Sequence, residues 1–367
     1  MKEKIIEVFK NFEVEGDLFA IEQIKNGHIN NSYHLKVLNS VEQNWFLQRI
    51  NANVFHDIEG LMKNVELVTR HLISKDDPGK EDNMQCLRII RTRNNKLYFT
   101  DKEGYSWRLF NFIENSYVYD VVKNTSFAYE GGKVFGRFVM VMSDLDPSSL
   151  IKTIPRFHDI NYRWEQFKDV LKIEGNPRAL LAAKEIMFAE ERYKDLSDFY
   201  SQVDRGLLPQ RITHNDTKFN NIMFNKEGVA TCIIDLDTVM PGTVLFDFGD
   251  AIRTATNTAS EDECDLTKVN FDLDLYEAYT NGYLKECASA LTDIEITNLP
   301  EAARYMTFLI GLRFLIDYLA GDVYYNITRP NQNIDRARVQ FRMVECIESN
   351  MSHMSEIANC YINIMNS

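Results

Sequence analysis

The sequence predicts an α+β fold with two lobes, the first rich in β-strands and the second mainly helical. Short runs of β-branched and aromatic residues, separated by turn residues, fill the chain up to about residue 113. Long apolar patterns with helical spacing dominate from residue 114 onward. We therefore expect an N-terminal lobe over residues 1–113 and a C-terminal lobe over residues 114–367. Each part is long enough to bury a core of its own.

The N-terminal lobe is predicted to be a sheet with one long helix packed on it. That helix begins after Asp57, a candidate N-cap, and its apolar residues recur at helical spacing as far as Ile73. Residues 5–12 show a shorter apolar pattern with the same spacing. The predicted strands cover residues 18–24, 33–38, 45–50, 86–91, 96–100 and 105–113.

The C-terminal lobe is predicted to be helical except for one embedded β-hairpin. The first helix, with Thr125 or Ser126 as its cap, must end before Pro147 because proline breaks a helix interior. The hairpin consists of residues 222–224 and 229–234 around a turn at 225–228. The predicted helices cover residues 127–145, 157–171, 178–200, 273–286, 302–319 and 334–351.

Composition restricts the partners. The formal net charge of −13 argues against a nucleic acid or an anionic membrane surface as the main partner, because both need clustered Lys and Arg. We expect a small-molecule substrate and no obligate protein partner. The six cysteines are scattered and show no metal-ligand spacing, which is typical of free thiols. The apolar pattern at the N-terminus is interrupted by charged residues, unlike a signal peptide. We therefore predict a cytoplasmic protein.

The segment from His214 to Asn221 carries the strongest chemical signal. Its spacing, H-x-D-x-x-x-x-N, is that of the catalytic loop of protein-kinase-like enzymes. In this interpretation Asp216 accepts a hydroxyl proton, Asn221 holds magnesium, and Lys218 neutralises the transferring phosphate as a second catalytic residue. His214 is expected to structure the loop through hydrogen bonds rather than to act as an acid.

The hairpin predicts the remaining metal ligands. A turn near residue 226 returns the end of the second strand to the start of the first, so Asp235 comes close to Asn221. Asp237 would share the face of Asp235 if the extended conformation continued, and would reach a second ion. A calcium loop is the alternative, but its ligands lie in one short run with a fixed glycine, which is absent here.

A second acidic motif competes with this assignment. The literal Asp-Phe-Gly triplet of kinases stands at residues 247–249, which is 26 residues after Asn221, whereas Asp235 follows Asn221 by 14 residues and closes the hairpin. We assign the metal to Asp235. Asp247 and Asp250 are interpreted as acids at the N-terminus of the next helix, with a further role in orienting the catalytic loop.

The N-terminal lobe is expected to bind the nucleotide. The loop around Gly27 joins two predicted strands and is either an ordinary hairpin turn or a phosphate cradle. Its position relative to the catalytic loop favours the cradle. The strand at 45–50 lacks the lysine that kinases use there. Arg49 would supply the charge, with Glu66 of the following helix as its partner, but strand register leaves Gln48 open as the replacement.

These segments resemble the aminoglycoside phosphotransferase and choline kinase-like family, and within it the bacterial N-acetylhexosamine 1-kinases. The resemblance extends from about residue 20 to 350. The segments that carry it are residues 27–30, 47–51, 107–113, 213–218, 234–242, 247–250, 313–324 and 333–336.

The resemblance implies a two-lobed protein-kinase-like fold with ATP and Mg²⁺ as cofactors. ATP would lie under the loop at Gly27, with its adenine against a hinge that includes Asn111 and Phe112. The sugar would contact His28, Arg313 and Tyr324 on the helical side. One departure is Thr254, because relatives have an aromatic residue after the preceding arginine.

The expected activity is transfer of the ATP γ-phosphate to the anomeric hydroxyl of an N-acetylhexosamine. Two alternatives stay open at this point. A kinase for an aminoglycoside or amino alcohol would use the same machinery but needs acidic residues around its acceptor. A non-catalytic nucleotide-binding scaffold would account for the missing strand lysine.

Overall fold

The computed structural model describes residues 2–24, 29–75 and 84–365. Gly27 and His28, the predicted phosphate and sugar contacts, lie outside these ranges. In the described part of the chain no helix has both the length and the apolar character needed to cross a membrane.

The N-terminal region is an antiparallel sheet with the strand order β1-β2-β3-β6-β4, in which β5 also pairs with β6. Two helices accompany it, α1 (Lys2–Phe9) and α2 (Ile58–Ser74). The strands are β1 (Asp17–Ile24), β2 (Asn31–Leu38), β3 (Asn44–Arg49), β4 (Ile89–Ile90), β5 (Phe99–Thr100) and β6 (Ser106–Asn111).

The two faces of this sheet bury different partners. Residues that alternate along β2, β3 and β6, such as Leu35, Leu47 and Leu109, pack with Phe9 of α1 into a small separate core. The opposite face packs toward α2 and the helical region, and Phe110 belongs to that larger core. Alternation along each strand therefore decides whether a side chain points to α1 or to the junction of the two lobes.

The C-terminal region is mainly helical. It contains two small antiparallel pairs, β7 (Arg211–Thr213) with β10 (Met240–Gly242), and the predicted hairpin, β8 (Ile222–Phe224) with β9 (Ala230–Ile233). The helices are α3 (Thr125–Met142), α4 (Ile160–Leu171), α5 (Pro177–Leu181), α6 (Ala183–Asp204), α7 (Val244–Ala255), α8 (Leu273–Cys287), α9 (Asp293–Thr297), α10 (Leu299–Ala320) and α11 (Gln332–Met365).

Helices α3 and α8 approach each other closely enough for their backbones to touch. A Cβ atom added at Gly132 would lie 2.0 Å from the Tyr279 carbonyl oxygen, and one at Gly136 would lie 2.3 Å from that of Tyr283. Glycine is required at both positions because any larger residue would force the helices apart. The same helix, α3, supports the catalytic segment through Phe135, whose ring meets the His214 ring edge-on at 5.7 Å.

The structure confirms the predicted fold class and the N-cap of α2, since the Asp57 carboxylate accepts a hydrogen bond from the Gly60 N–H. Several boundaries differ, and the largest difference is at α11, which continues to Met365 where the sequence predicted an end at residue 351. Asn124, rather than Thr125 or Ser126, caps α3. A non-helical Ala182 divides the predicted helix at 178–200 into α5 and α6. The strands expected at 86–91 and 96–100 shorten to β4 and β5.

Candidate active site

The loop that carries Asp216 follows β7, and a buried carboxylate fixes its backbone. Asp247, in the first turn of α7, accepts hydrogen bonds from the backbone N–H groups of His214 and Asn215, each at 2.7 Å. Asn215 adopts a left-handed conformation, φ 63°, which asparagine tolerates better than most residues. The literal Asp-Phe-Gly triplet therefore orients the catalytic loop, as the sequence predicted for Asp247.

His214 is a structural residue. Its ring is fully buried, and Nε2 lies 3.0 Å from the Ile234 carbonyl oxygen at the end of the hairpin. The backbone N–H of Asp216 donates to Nδ1 at 3.3 Å. His214 thus ties the catalytic loop to β9, and no part of the ring is open to a substrate.

Asp216 has the surroundings of a positioned base. Lys218 lies 3.1 Å from its carboxylate, and the Asn221 amide donates to it at 3.2 Å. Although burial acts in the opposite direction, Lys218 and His214 hold the pKa of Asp216 below its usual range. The carboxylate in turn raises the pKa of Lys218, so both groups are charged at neutral pH.

Asn221 and Asp235 have the donor atoms for a hard cation. Both hydrogen bonds of the Asn221 side chain are made by its amide nitrogen, to Asp216, so its oxygen accepts none within the described residues. The hairpin places Asp235 beside it, because the Ile234 N–H donates to the Asn221 carbonyl oxygen at 3.0 Å. Asp235 is exposed, and in the described part of the chain its carboxylate accepts no hydrogen bond.

The charge around Asp235 fits a bound cation. Partial withdrawal from water, together with the carboxylates of Asp237 and Asp216, raises the pKa of Asp235 to about 7. A divalent ion would oppose this shift by stabilising the ionised carboxylate. Among the described residues no three His, Cys, Asp or Glu side chains converge as a metal cage. Magnesium does not require such a cage, because it usually binds through one or two carboxylates together with phosphates and water.

The prediction that Asp237 binds a second ion is wrong for the arrangement seen here. Asp235 has a left-handed backbone, φ 61°, and a 3₁₀ turn, Leu236–Thr238, follows it, so the extended conformation does not continue. Asp237 is buried instead, where it forms an ion pair with Arg108 and accepts a hydrogen bond from Asn30 at 2.6 Å. Its oxygen atoms are occupied by protein partners.

The predicted pair between Arg49 and Glu66 is also wrong. Arg49 lies opposite Trp107 on the face of the sheet that covers α1, and its guanidinium stacks on the Tyr105 ring at 4.5 Å. Glu66 forms an ion pair with Arg91. The alternation of a β-strand directs Arg49 away from the lobe junction.

The cation at the lobe junction comes from the neighbouring strand. Arg108 of β6 lies opposite Gln48, whose side-chain oxygen accepts from it at 2.7 and 3.0 Å. Only 2% of the Arg108 side chain is exposed. Sequence reasoning missed this residue, although Arg108 and Phe110 alternate along one strand and the burial of Phe110 on the inner face would have indicated its direction.

The predicted hinge residues lie at the end of β6. The Asn111 side-chain oxygen accepts from the Arg88 N–H at 2.5 Å, and the Phe112 ring stacks on His34 at 3.9 Å. Their contact with adenine stays a prediction.

Thr254, which the sequence resemblance singles out as a departure, accepts a hydrogen bond from the Phe219 N–H at 3.2 Å. It thereby supports the turn that contains Asn221.

Two of the predicted sugar contacts lie together. The Arg313 guanidinium of α10 faces the Tyr324 ring at 5.9 Å, and Tyr324 is 59% exposed. Asp317 holds the loop that carries this tyrosine, because its carboxylate accepts hydrogen bonds from the backbone N–H groups of residues 323, 324 and 325.

Sequence reasoning missed His158. Its Nε2 atom lies 3.2 Å from the Asn215 carbonyl oxygen, and this contact brings the start of α4 to the catalytic loop.

Comparison with known proteins identifies the family. A family model described as phosphotransferase enzyme family matches residues 20–286, well over half of the chain. The chain belongs to this family. The phosphotransferase is therefore a small-molecule kinase related to the aminoglycoside phosphotransferases and choline kinases.

Solved structures of similar fold are small-molecule kinases. An aminopropanol kinase associated with a microcompartment has a TM-score of 0.63 at 13% identity and covers 97% of this chain and 99% of its own. An amicoumacin kinase in complex with AMP-PNP and Ca²⁺ has a TM-score of 0.62 at 13% identity, with 95% and 93% covered. Choline kinase from Cryptosporidium parvum Iowa II has a TM-score of 0.61 at 14% identity, with 96% and 97% covered.

The two acidic motifs can be separated by substitution. We expect Asp235→Ala to weaken magnesium-dependent ADP binding and to abolish turnover. The loss of stability should be only about 1 kcal/mol, the cost of alanine in the left-handed region, because the carboxylate has no partner within the described residues. Asp247→Ala should mainly lower the melting temperature, because it leaves two buried backbone N–H groups without acceptors, at about 1–3 kcal/mol each. Calorimetric ADP titrations with and without Mg²⁺, and thermal melts, measure both effects. Loss of metal dependence in Asp247→Ala alone would contradict the assignment.

The Arg108–Asp237 pair can be tested by a double-mutant cycle. Arg108→Met and Asp237→Asn should each lower the free energy of unfolding by about 3–5 kcal/mol, because each change leaves a buried partner uncompensated. The double variant should lose clearly less than the sum. Urea denaturation of the four proteins gives the coupling energy, and strictly additive losses would show that the two side chains do not stabilise each other.

Proposed function

We propose that this phosphotransferase moves the γ-phosphate of ATP to the anomeric hydroxyl of an N-acetylhexosamine, giving the sugar 1-phosphate and ADP. Asp216 orients the hydroxyl and takes its proton, and Lys218 carries positive charge next to the reacting group. Asn221 and Asp235 would hold magnesium, which neutralises the phosphate oxygens when bound. Transfer is direct, since phosphoryl transfer of this kind depends on positioning and charge rather than on a covalent relay.

The observation that carries the proposal is the environment of Asp216. Its carboxylate has a lysine on one side and the Asn221 amide on the other, and the remaining Asn221 oxygen accepts no hydrogen bond within the described residues. A base, a cation and two candidate metal ligands therefore meet at one loop and one hairpin end. The segments from 234 to 242 and from 313 to 324, which resemble the N-acetylhexosamine 1-kinases, supply the acceptor class.

The charges on the acceptor side support a sugar over an amine. An ammonium-bearing acceptor needs carboxylates that are free to pair with it. Two carboxylates of this region, Glu261 and Asp317, already have partners in the described chain. Glu261 pairs with Arg253, and Asp317 accepts from backbone N–H groups and from Asn333. The exposed ring of Tyr324 beside a guanidinium suits the apolar face and the hydroxyl groups of a sugar.

The non-catalytic alternative rested on the missing strand lysine. Family membership argues against it, since the chain belongs to a phosphotransferase enzyme family. Asp216, Asn221 and Asp235 are also present at the spacing that phosphoryl transfer uses. Arg108 supplies a cation at the lobe junction, where it pairs with Asp237.

Asp216 is tested by replacing its carboxylate with an amide. We expect Asp216→Asn to lower kcat by at least roughly 10²-fold, the lower range for a positioned general base, with ADP affinity and melting temperature close to the parent values. Coupled ADP-release kinetics measure turnover. Asp195→Asn, at an exposed position of α6, is the control and should retain full activity. Activity of Asp216→Asn within a few-fold of the parent would remove Asp216 from its role.

The position of phosphorylation is tested with a blocked sugar. A methyl glycoside of N-acetylglucosamine or N-acetylgalactosamine has no anomeric hydroxyl, so we expect binding at most and no product. Removal of the N-acetyl group should reduce kcat/KM about tenfold or less, because one neutral contact contributes about 0.5–1.5 kcal/mol. ³¹P NMR of the product identifies the phosphorylated position. Phosphate on the 6-hydroxyl, or turnover of the methyl glycoside at the rate of the free sugar, would refute the 1-kinase assignment.

A further inference from the structure

Two arginines that have no carboxylate partner within the described residues meet beside the catalytic loop. Arg163 of α4 and Arg313 of α10 both contact Phe157. Arg163 donates to the Phe157 carbonyl oxygen at 3.1 Å, and the Arg313 guanidinium lies over the Phe157 ring at 5.3 Å. Two guanidinium groups from different helices are therefore brought together around one residue.

His158 connects this pair of arginines to the reaction centre. Its ring packs against Phe157 at 4.4 Å, and its Nε2 lies 3.2 Å from the carbonyl oxygen of Asn215, the residue before Asp216. A carbonyl oxygen can only accept, so Nε2 carries the proton and Nδ1 presents a lone pair. Nδ1 is buried and has no partner among the described residues. The arginine pair thus lies next to a vacant hydrogen-bond acceptor on a side chain that contacts the residue before Asp216.

No carboxylate in the part of the chain that the structure describes pairs with either guanidinium. The Arg163 Nε is buried without a hydrogen-bond partner in the described structure, and its other nitrogens donate to Gln166 and Phe157. For Arg313 the contacts that the structure shows are with aromatic rings. Burial and the charge of Arg313 lower the pKa of Arg163 to about 10.

Nearby arginines on the same helices or loops have carboxylate partners. Arg156 pairs with Asp159, and Arg304 of α10 pairs with Glu301. The chain carries 54 Asp and Glu against 41 Lys and Arg, so carboxylates to neutralise two more guanidiniums are abundant in the sequence. Two neighbouring, partly buried guanidiniums repel each other, and an anion between them would relieve the repulsion and satisfy the open N–H groups.

We propose that Arg163 and Arg313 bind an anionic group of the acceptor, so that the preferred substrate is an N-acetylhexosamine bearing a carboxylate or a phosphate away from the anomeric carbon. The inference rests on the proposed sugar 1-kinase function and adds the charge of the acceptor to it. The planar guanidinium fork matches both oxyanions, and His158 Nδ1 accepts a hydroxyl of the same sugar.

The test compares acidic sugars with neutral ones. Candidate acceptors are N-acetylglucosaminuronic acid, N-acetylglucosamine 6-phosphate and the 3-O-lactyl ether of N-acetylglucosamine. The neutral references are N-acetylglucosamine itself and the methyl esters of the two carboxylic acids. We expect at least one acid to exceed its neutral reference in kcat/KM by about tenfold, the effect of one charge-assisted hydrogen bond or more. If every acid is used no better than its neutral reference, the proposal is overturned.

Substitution of Arg163 assigns the preference to this site. Arg163→Gln should bring the ratio of kcat/KM between acid and neutral sugar close to one. Arg156→Gln is the matched control, since Arg156 lies on the same segment but is already paired with Asp159, and it should keep the parent ratio. An unchanged ratio in Arg163→Gln would contradict the assignment of the anion to this residue.

A binding measurement separates this inference from the proposed function. The melting temperature is measured in sodium malonate and in sodium chloride at equal ionic strength, for the wild type, Arg163→Gln and Arg156→Gln. Malonate should raise the melting temperature of the wild type and of Arg156→Gln more than that of Arg163→Gln. If no hexosamine is phosphorylated but this difference is present, the sugar 1-kinase proposal fails and the anion site stands. If sugars are phosphorylated without this difference and without an acid preference, the anion site fails alone.

Discussion

The buried ion pair between Arg108 and Asp237 joins the sheet to the catalytic segment. Arg108 projects from β6, and Asp237 lies in the 3₁₀ turn directly after Asp235. Gln48 and Asn30 complete the pair, so that strands, loop and turn share one set of charge-assisted hydrogen bonds. Separating the two side chains would leave an uncompensated charge in the protein interior, which is strongly unfavourable. The position of Asp235 relative to the N-terminal lobe depends on this constraint.

The acidic residues around this junction have distinct environments and therefore distinct functions. Asp247 accepts hydrogen bonds from two backbone N–H groups of the catalytic loop, and Asp237 forms an ion pair with Arg108. Asp216 is balanced by Lys218. Asp235 has no such partner within the described chain, which makes it the carboxylate best suited to an external cation. Similar residues a few positions apart thus become a structural acid, an inter-lobe anchor, a candidate base and a candidate metal ligand.

Carboxylates and guanidiniums are unevenly distributed around Asp216. Carboxylates are in excess around Asp235, whereas Arg163 and Arg313, which have no carboxylate partner within the described residues, meet around Phe157. Under the proposed function, this distribution favours a cation at the hairpin end and an oxygen-rich or anionic acceptor at the helical end. The chain thus shares its fold with choline and aminopropanol kinases but carries these two arginines near its catalytic loop.

The sequence by itself determined the α+β fold class, the cap of α2 and the return of the hairpin that brings Asp235 close to Asn221, because these depend on periodicity and on spacing along one short hairpin. It did not determine which strand supplies the inter-lobe cation. Successive side chains of a strand point to opposite faces of the sheet, so the face that each residue occupies depends on how the strands pair. The pairing of β3 with β6 in the folded sheet places Arg49 on the face next to α1 and Arg108 at the junction of the two lobes. Tertiary packing also decided the left-handed backbone of Asp235, which turns Asp237 away from the candidate metal site. It likewise decided that Arg163 and Arg313, which are 150 residues apart in the sequence, meet around Phe157. No local sequence pattern encodes contacts between such distant elements.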